Sequence, residues 1–161
     1  MSGEEEAAFL GAKLRYPRSA ADGIRGLTRE QVKAIAGAGF GVGGHTSNHS
    51  RLDELGDAAE ARREIVEDKR TLEGITGRPV KYFAYPAGRF VHPAFDPAAL
   101  VRDAGYEAAV TTQPGINDSG TDRYRLRREL TGTYMSPVVF RARVCGCYDP
   151  IRSLKRRLRR A

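Results

Sequence analysis

With 161 residues, of which 40% are hydrophobic and 29% charged, the chain is long enough for one domain with a buried core and is neither a fibrous nor a disordered polymer by composition. Its net charge of +7 is confined to one end: residues 141–161 carry eight basic side chains against the single acid Asp149, so the remainder is balanced and is not built as a nucleic-acid surface. Cys145 and Cys147 are too close for an easy disulfide and too few for a disulfide framework, and no apolar run reaches the roughly eighteen residues that a membrane helix needs.

The first residues, MSGEEEAAFL, have neither a basic start nor an apolar core of signal-peptide length, which reads as cytoplasmic. Were residues missing before Met1, a secretion signal would be missing with them, and an extracellular or cell-envelope location would be open. Residues 3–14 suit an acidic, weakly amphipathic helix and 16–26 a loop, which sets 1–26 apart from a domain expected over 27–135. Thr28 with Gln31 is a capping box; it opens a helix through about Ala38, with Val32 and Ile35 on the inner face and Gly39 as its stop.

Phe40 and Val42 suit a short buried strand, Gly43 and Gly44 let the backbone turn, and His45 and His49 follow in the run HTSNH. Side chains four apart lie on one side of a helical turn or tight loop, so two imidazoles can converge on one divalent ion. The same spacing also fits a solvated turn or a helix cap. Position favours the metal, because parallel α/β folds carry their ligands at the carboxyl ends of strands. A hydrolytic site needs a third protein ligand, expected to be a carboxylate elsewhere in the sequence.

Asp57 with Glu60 starts the next helix, which runs to about Ile75 with Ile65, Leu72 and Ile75 on its buried stripe. Arg62, Arg63, Glu64, Glu67, Asp68, Lys69 and Arg70 read as its solvated charged face. Gly77 to Pro79 breaks the chain before a strand over Val80–Tyr85, which runs into a turn at Pro86, Ala87 and Gly88. Asp96 and Pro97 open a helix through Ala104, Gly105 caps it, and a third strand, Tyr106–Thr112, ends at Pro114 and Gly115. Helix and strand alternate strictly, which implies a parallel sheet. Further on, Tyr124–Leu130 reads as a short strand and Pro137–Val144 as a helix. The tail from Pro150 puts Ile151, Leu154 and Leu158 on one helical face amid arginines, making 136–161 a basic segment suited to an anionic surface, nucleic acid, a partner or plain solvation.

HTSNH, then GRPVKYFAYPAG one βα unit later, then VRDAGYEAAVTT, in that order over about Leu27 to Gly115, together resemble the polysaccharide deacetylase family, the NodB-homology domain of carbohydrate esterase family 4. The resemblance implies an α/β fold, here an incomplete (β/α)7-type barrel of parallel strands with a basic C-terminal helix. It also implies metal-dependent hydrolysis of N- or O-acetyl groups on a polysaccharide or oligosaccharide, with zinc the expected ion. By the same resemblance His45 and His49 are metal ligands, Thr46 braces their loop, and Tyr85, Pro86 and Ala87 form the substrate and oxyanion turn, Ala87 acting through its backbone N–H. The family's Arg-x-Pro-Tyr-Gly motif is met at Pro86 and Gly88, while Ala84 stands in place of the arginine and Ala87 in place of the tyrosine.

Two family elements have no counterpart. One is an early strand ending in an aspartate pair, which supplies a general base and the third metal ligand; Asp22 is isolated in a loop. The other is a late Leu-x-His motif that supplies the general acid; His92 stands beside Pro93, between the wrong elements. The expectation is a deacetylase fragment of low or no activity alone, because a barrel of about seven strands shows only three or four here, and an open parallel sheet exposes its edges. The alternative is a non-catalytic deacetylase-like protein that docks through the basic tail.

Overall fold

The computed structural model describes residues 26–132 and 135–147. The helix expected over 3–14, nearly all of the loop after it and the basic tail from residue 150 lie outside the described residues. Within them are helices α1 (Arg29–Gly37), α2 (Ala58–Thr76), α3 (Pro97–Asp103) and α4 (Pro137–Val144), and strands β1 (Tyr82–Ala84) and β2 (Ala108–Val110).

The helix starts follow from their caps. The Thr28 hydroxyl accepts from the Gln31 backbone N–H while the Gln31 side chain accepts from the Thr28 N–H, closing a reciprocal box. Asp57 caps α2 by accepting from the Glu60 N–H, and Gly77, at φ 65°, ends it in the left-handed conformation that glycine adopts at little cost. Asp96 and Ser136 open α3 and α4 in the same way, each followed by a proline whose absent N–H is not missed at a first helical position.

β1 and β2 pair in parallel, with Phe83 opposite Ala109. Gly44 forms a parallel bridge to Phe83 on one side and Leu126 a parallel bridge to Val110 on the other. The row therefore runs Gly44, β1, β2, Leu126 in chain order, with α2 and α3 in the connections between its members. This is the α/β alternation expected, in a shorter form. The strands read as Val80–Tyr85 and Tyr106–Thr112 narrow to three residues each, and the segment Tyr124–Leu130 contributes one bridge.

The strand expected around Phe40 and Val42 does not form. Phe40 is 69% exposed, and the ladder closes only at Gly44, where the Gly44 N–H donates to the Tyr82 carbonyl and the Ala84 N–H to the Gly44 carbonyl. Gly43 and Gly44 bring the two backbones together: a Cβ on Gly43 would stand 3.0 Å from the Tyr82 carbonyl oxygen. Three glycines in four residues leave Val42 as the one side chain before the bridge that could pack on the sheet.

The core lies between this row and the inner faces of α2 and α3. Phe83 and Tyr85 alternate inward from β1 and its end, meeting Ile65 and Ala61 of α2, Leu100 and Val101 of α3, and Tyr106. Phe83 packs against Tyr85 and Tyr106 with ring centroids 5.4 and 5.2 Å apart, the spacing of favourable aromatic pairs.

Candidate functional site

The site grows from the point where the Gly44 segment and β1 leave the sheet. Because they run parallel, both exit at the same end: Gly44 leads into His45, and Ala84 leads into the turn Tyr85 to Gly88. His45 and His49 come together there, ring centroids 4.8 Å apart and planes 70° to each other. The loop between them is not helical. Thr46 and His49 both adopt left-handed backbone, at φ 65° and 58°, which costs an L-residue about 1–2 kcal/mol each and persists only where the surroundings enforce it.

Hydrogen bonds at both ends of the loop enforce it. His45 Nδ1 lies 2.6 Å from the Ala84 carbonyl oxygen, and the His45 N–H donates to Asp68 Oδ2 at 2.8 Å. The Thr46 hydroxyl, 6% exposed, donates across the loop to the Ser50 carbonyl. Glu64 holds the other end: its carboxylate accepts from the Asn48 backbone N–H at 3.0 Å and from the Asn48 side chain at 2.6 Å, while its carbonyl accepts from Ser47.

Glu64 and Asp68 were expected on the solvated face of α2, and the structure places them inside, 6% and 9% exposed. They are one turn apart, in phase with Ala61 and Ile65, so they face the histidine loop rather than solvent. Burial pushes the Glu64 carboxyl up, but hydrogen bonds from Asn48 and Ser50 and the nearby Arg63 charge together outweigh it and leave the group below the usual glutamate value. For Asp68 burial wins, against hydrogen bonds from the His45 N–H and the Tyr106 hydroxyl, and its carboxyl sits above the ordinary aspartate value. Burial and the neighbouring Asp68 charge push the Tyr106 phenol up as well, which keeps it a donor. Gly44 completes the arrangement, since a Cβ there would come within 2.2 Å of the Tyr106 hydroxyl and 2.5 Å of Asp68 Oδ2.

The contact with Ala84 decides what His45 can do. A carbonyl oxygen only accepts, so Nδ1 carries the hydrogen and Nε2 keeps its lone pair, the arrangement in which a histidine ligates a metal. Among the described residues no group of three or more His, Cys, Asp or Glu side chains is placed to hold a metal ion; the imidazoles stand as a pair.

The turn after β1 carries the other half. Tyr85 is fully buried, its hydroxyl donating to the Tyr124 carbonyl at 2.8 Å, and Pro86 is buried beside it, so these two brace the turn from behind. Ala87 is exposed and left-handed at φ 53°, and no hydrogen bond within the described residues uses its N–H. Gly88 is pressed against Thr112, where a Cβ would approach Oγ1 to 2.0 Å. His92 has other partners, its Nε2–H donating to the Leu55 carbonyl and its ring stacked on Phe95. Beside the turn, at the carboxyl ends of the parallel segments, opens a cavity of about 380 Å³ lined by Asp53, Ala87, Arg89, Phe90, Thr112 and Gln113 among others.

The family model described as polysaccharide deacetylase matches residues 10–109, starting further upstream than the motifs at Leu27 to Gly115. Over 116 residues the chain is 28% identical to YxkH of Bacillus subtilis, a protein named for the same family, covering 72% of this chain and 40% of YxkH. Among solved structures, the Streptococcus pyogenes deacetylase PplD, determined in complex with acetate, is similar at TM-score 0.65 and 25% identity, over 73% of this chain and 50% of that one. The polysaccharide deacetylase BC0361 of Bacillus cereus is similar at TM-score 0.54 and 27% identity, over 63% and 31% of the respective chains. The chain thus spans half or less of the length of these relatives.

Proposed function

The chain belongs to the polysaccharide deacetylase family, and from that premise we propose that it is part of a metal-dependent hydrolase that removes N- or O-acetyl groups from glycans, with a divalent ion held by His45 and His49. The observation that carries this reading is the pair of adjacent imidazoles at the sheet's carboxyl edge, one of them with Nδ1 tied to a main-chain carbonyl. Zinc suits two imidazole nitrogens; His45 and His49 would hold the ion, which would supply polarisation of a carbonyl and activation of a water. The residues around it position rather than react: Glu64 and Asp68 hold the loop, and Thr46 closes it. The exposed Ala87 N–H is the donor for the oxygen that gains negative charge as the acetyl carbonyl is attacked.

On this reading the third ligand, the base and the acid come from sequence beyond these 161 residues, which hold no aspartate pair and no late Leu-x-His. The sheet, with single bridges at Gly44 and Leu126, is read as part of an incomplete (β/α) barrel whose further strands extend it. Absence of a base or an acid costs a factor of about 10² to 10⁴ each, so the chain alone deacetylates slowly or not at all. Calorimetric zinc titration of the wild type, His45→Ala and His49→Ala tests the metal site: binding in the wild type, lost in both variants, is expected, and equal binding by all three refutes it. An acetylated chitooligosaccharide assay tests the rest, and brisk turnover by the chain alone would refute the incompleteness.

A further inference from the structure

The cavity beside Ala87 has a charge character that the deacetylation chemistry does not require. Two charged side chains line it, Asp53 and Arg89. Asp53 is already engaged: its two carboxylate oxygens accept from Arg51 Nε at 3.2 Å and Nη2 at 2.8 Å, a bidentate fork that takes both its charge and its acceptors. Arg89 is exposed, two residues from Ala87, and among the described residues it makes no salt bridge or side-chain hydrogen bond. The lining therefore includes one arginine with no ion pair or side-chain hydrogen bond among the described residues, two positions along the chain from the candidate oxyanion donor. Phe90 offers an apolar wall, and Thr112 and Gln113 add neutral polar groups. Its volume lies within the roughly 300–1,000 Å³ of small-ligand sites, and it opens where parallel folds bind ligands.

We propose that Arg89 is a specificity-determining residue that receives the carboxylate of an acidic sugar adjoining the acetylated one, so that the glycan bound here is anionic. The guanidinium matches a carboxylate in a two-pronged hydrogen bond that no sugar hydroxyl reproduces, and a lysine in its place would keep the charge without the fork. The inference rests on the deacetylase reading for the position of the acetyl group, but the cavity and its arginine stand apart from the histidines, neither of which lines it.

The test is binding rather than turnover. Wild type, Arg89→Gln and Arg89→Lys are titrated by calorimetry at low salt with three saccharides of equal length: a neutral chitooligosaccharide, one bearing a glucuronate and one bearing an N-acetylmuramate. At least one acidic saccharide is expected to bind the wild type about tenfold more tightly than the neutral one, the equivalent of one charge-assisted hydrogen bond. Arg89→Gln should erase the preference while leaving neutral binding unchanged, and Arg89→Lys should retain part of it. Which acidic saccharide is preferred distinguishes a uronic from a lactyl carboxylate. Equal binding of all three by the wild type, or a preference that survives Arg89→Gln, overturns the proposal. His49→Ala should lose zinc and keep the preference, so failure of the metal site and failure of this one are read separately.

Discussion

Replacing Glu64 with alanine removes the anchor of the histidine loop without touching either histidine. The carboxylate accepts two hydrogen bonds from Asn48, at 3.0 and 2.6 Å, and such bonds to a charged acceptor contribute about 1.5–3 kcal/mol each. Asn48 is exposed and water replaces part of what is lost, which brings the net cost to about 2–4 kcal/mol, a drop in Tm on the order of 10 °C for a domain of this size. The loop should also lose its reason to hold His49 at φ 58°, and the rings 4.8 Å apart should separate. Zinc affinity is then expected to fall about 10- to 100-fold, the usual effect of removing a group that orients a ligand. Glu64→Gln keeps the volume and one acceptor and should fall between. The acid limb adds a signed check. A carboxyl held below its ordinary value stabilises fully above the unfolded pKa, and that contribution is lost as pH falls through the folded one. The stability gap between wild type and Glu64→Gln should therefore close on acidification. Thermal melts and zinc titrations across pH measure all of this. A Glu64→Ala protein with wild-type Tm and zinc affinity, or a gap that widens in acid, would refute the reasoning.

Two further outcomes separate the parts of the molecule. Gly44→Ala forces a methyl into contact with the Tyr106 hydroxyl and Asp68, so overpacking and disturbed hydrogen bonds should together cost about 3–5 kcal/mol in urea unfolding, whereas Gly41→Ala, with nothing within 4 Å, should be close to neutral; equal stability of the two would contradict the packing. Deleting residues 150–161, which hold six basic side chains, should remove most of the salt-dependent retention on heparin and leave zinc binding untouched; undiminished retention assigns anion binding to the body of the domain.

What the amino-acid sequence reveals about this molecule depends on how local the cause is. The Thr28–Gln31 box, the Asp57 cap and the Gly77 stop are settled within a few residues, and they are legible. The histidine pair is legible too, because its spacing is its signal. Glu64 and Asp68 look solvated by residue type, although their phase with Ala61 and Ile65 places them on the buried stripe; phase is the better guide when carboxylates fall on it. The Ala84 carbonyl that orients His45 leaves no mark in the sequence, since every residue has one. Arg89 belongs to no motif, and its surroundings arise only when segments after three members of the sheet converge. The expected strand before His45 failed because glycine-rich backbone near the sheet gives close approach without side chains to pack.

The Ala84 contact also bears on how freely this loop can drift in evolution. The atom that orients His45 belongs to the peptide unit, so any residue at position 84 that keeps the local backbone path delivers the same acceptor. The arginine of the family motif can thus give way to alanine without releasing the ring. Asp68, by contrast, acts through a side chain, and a single codon change can take it away.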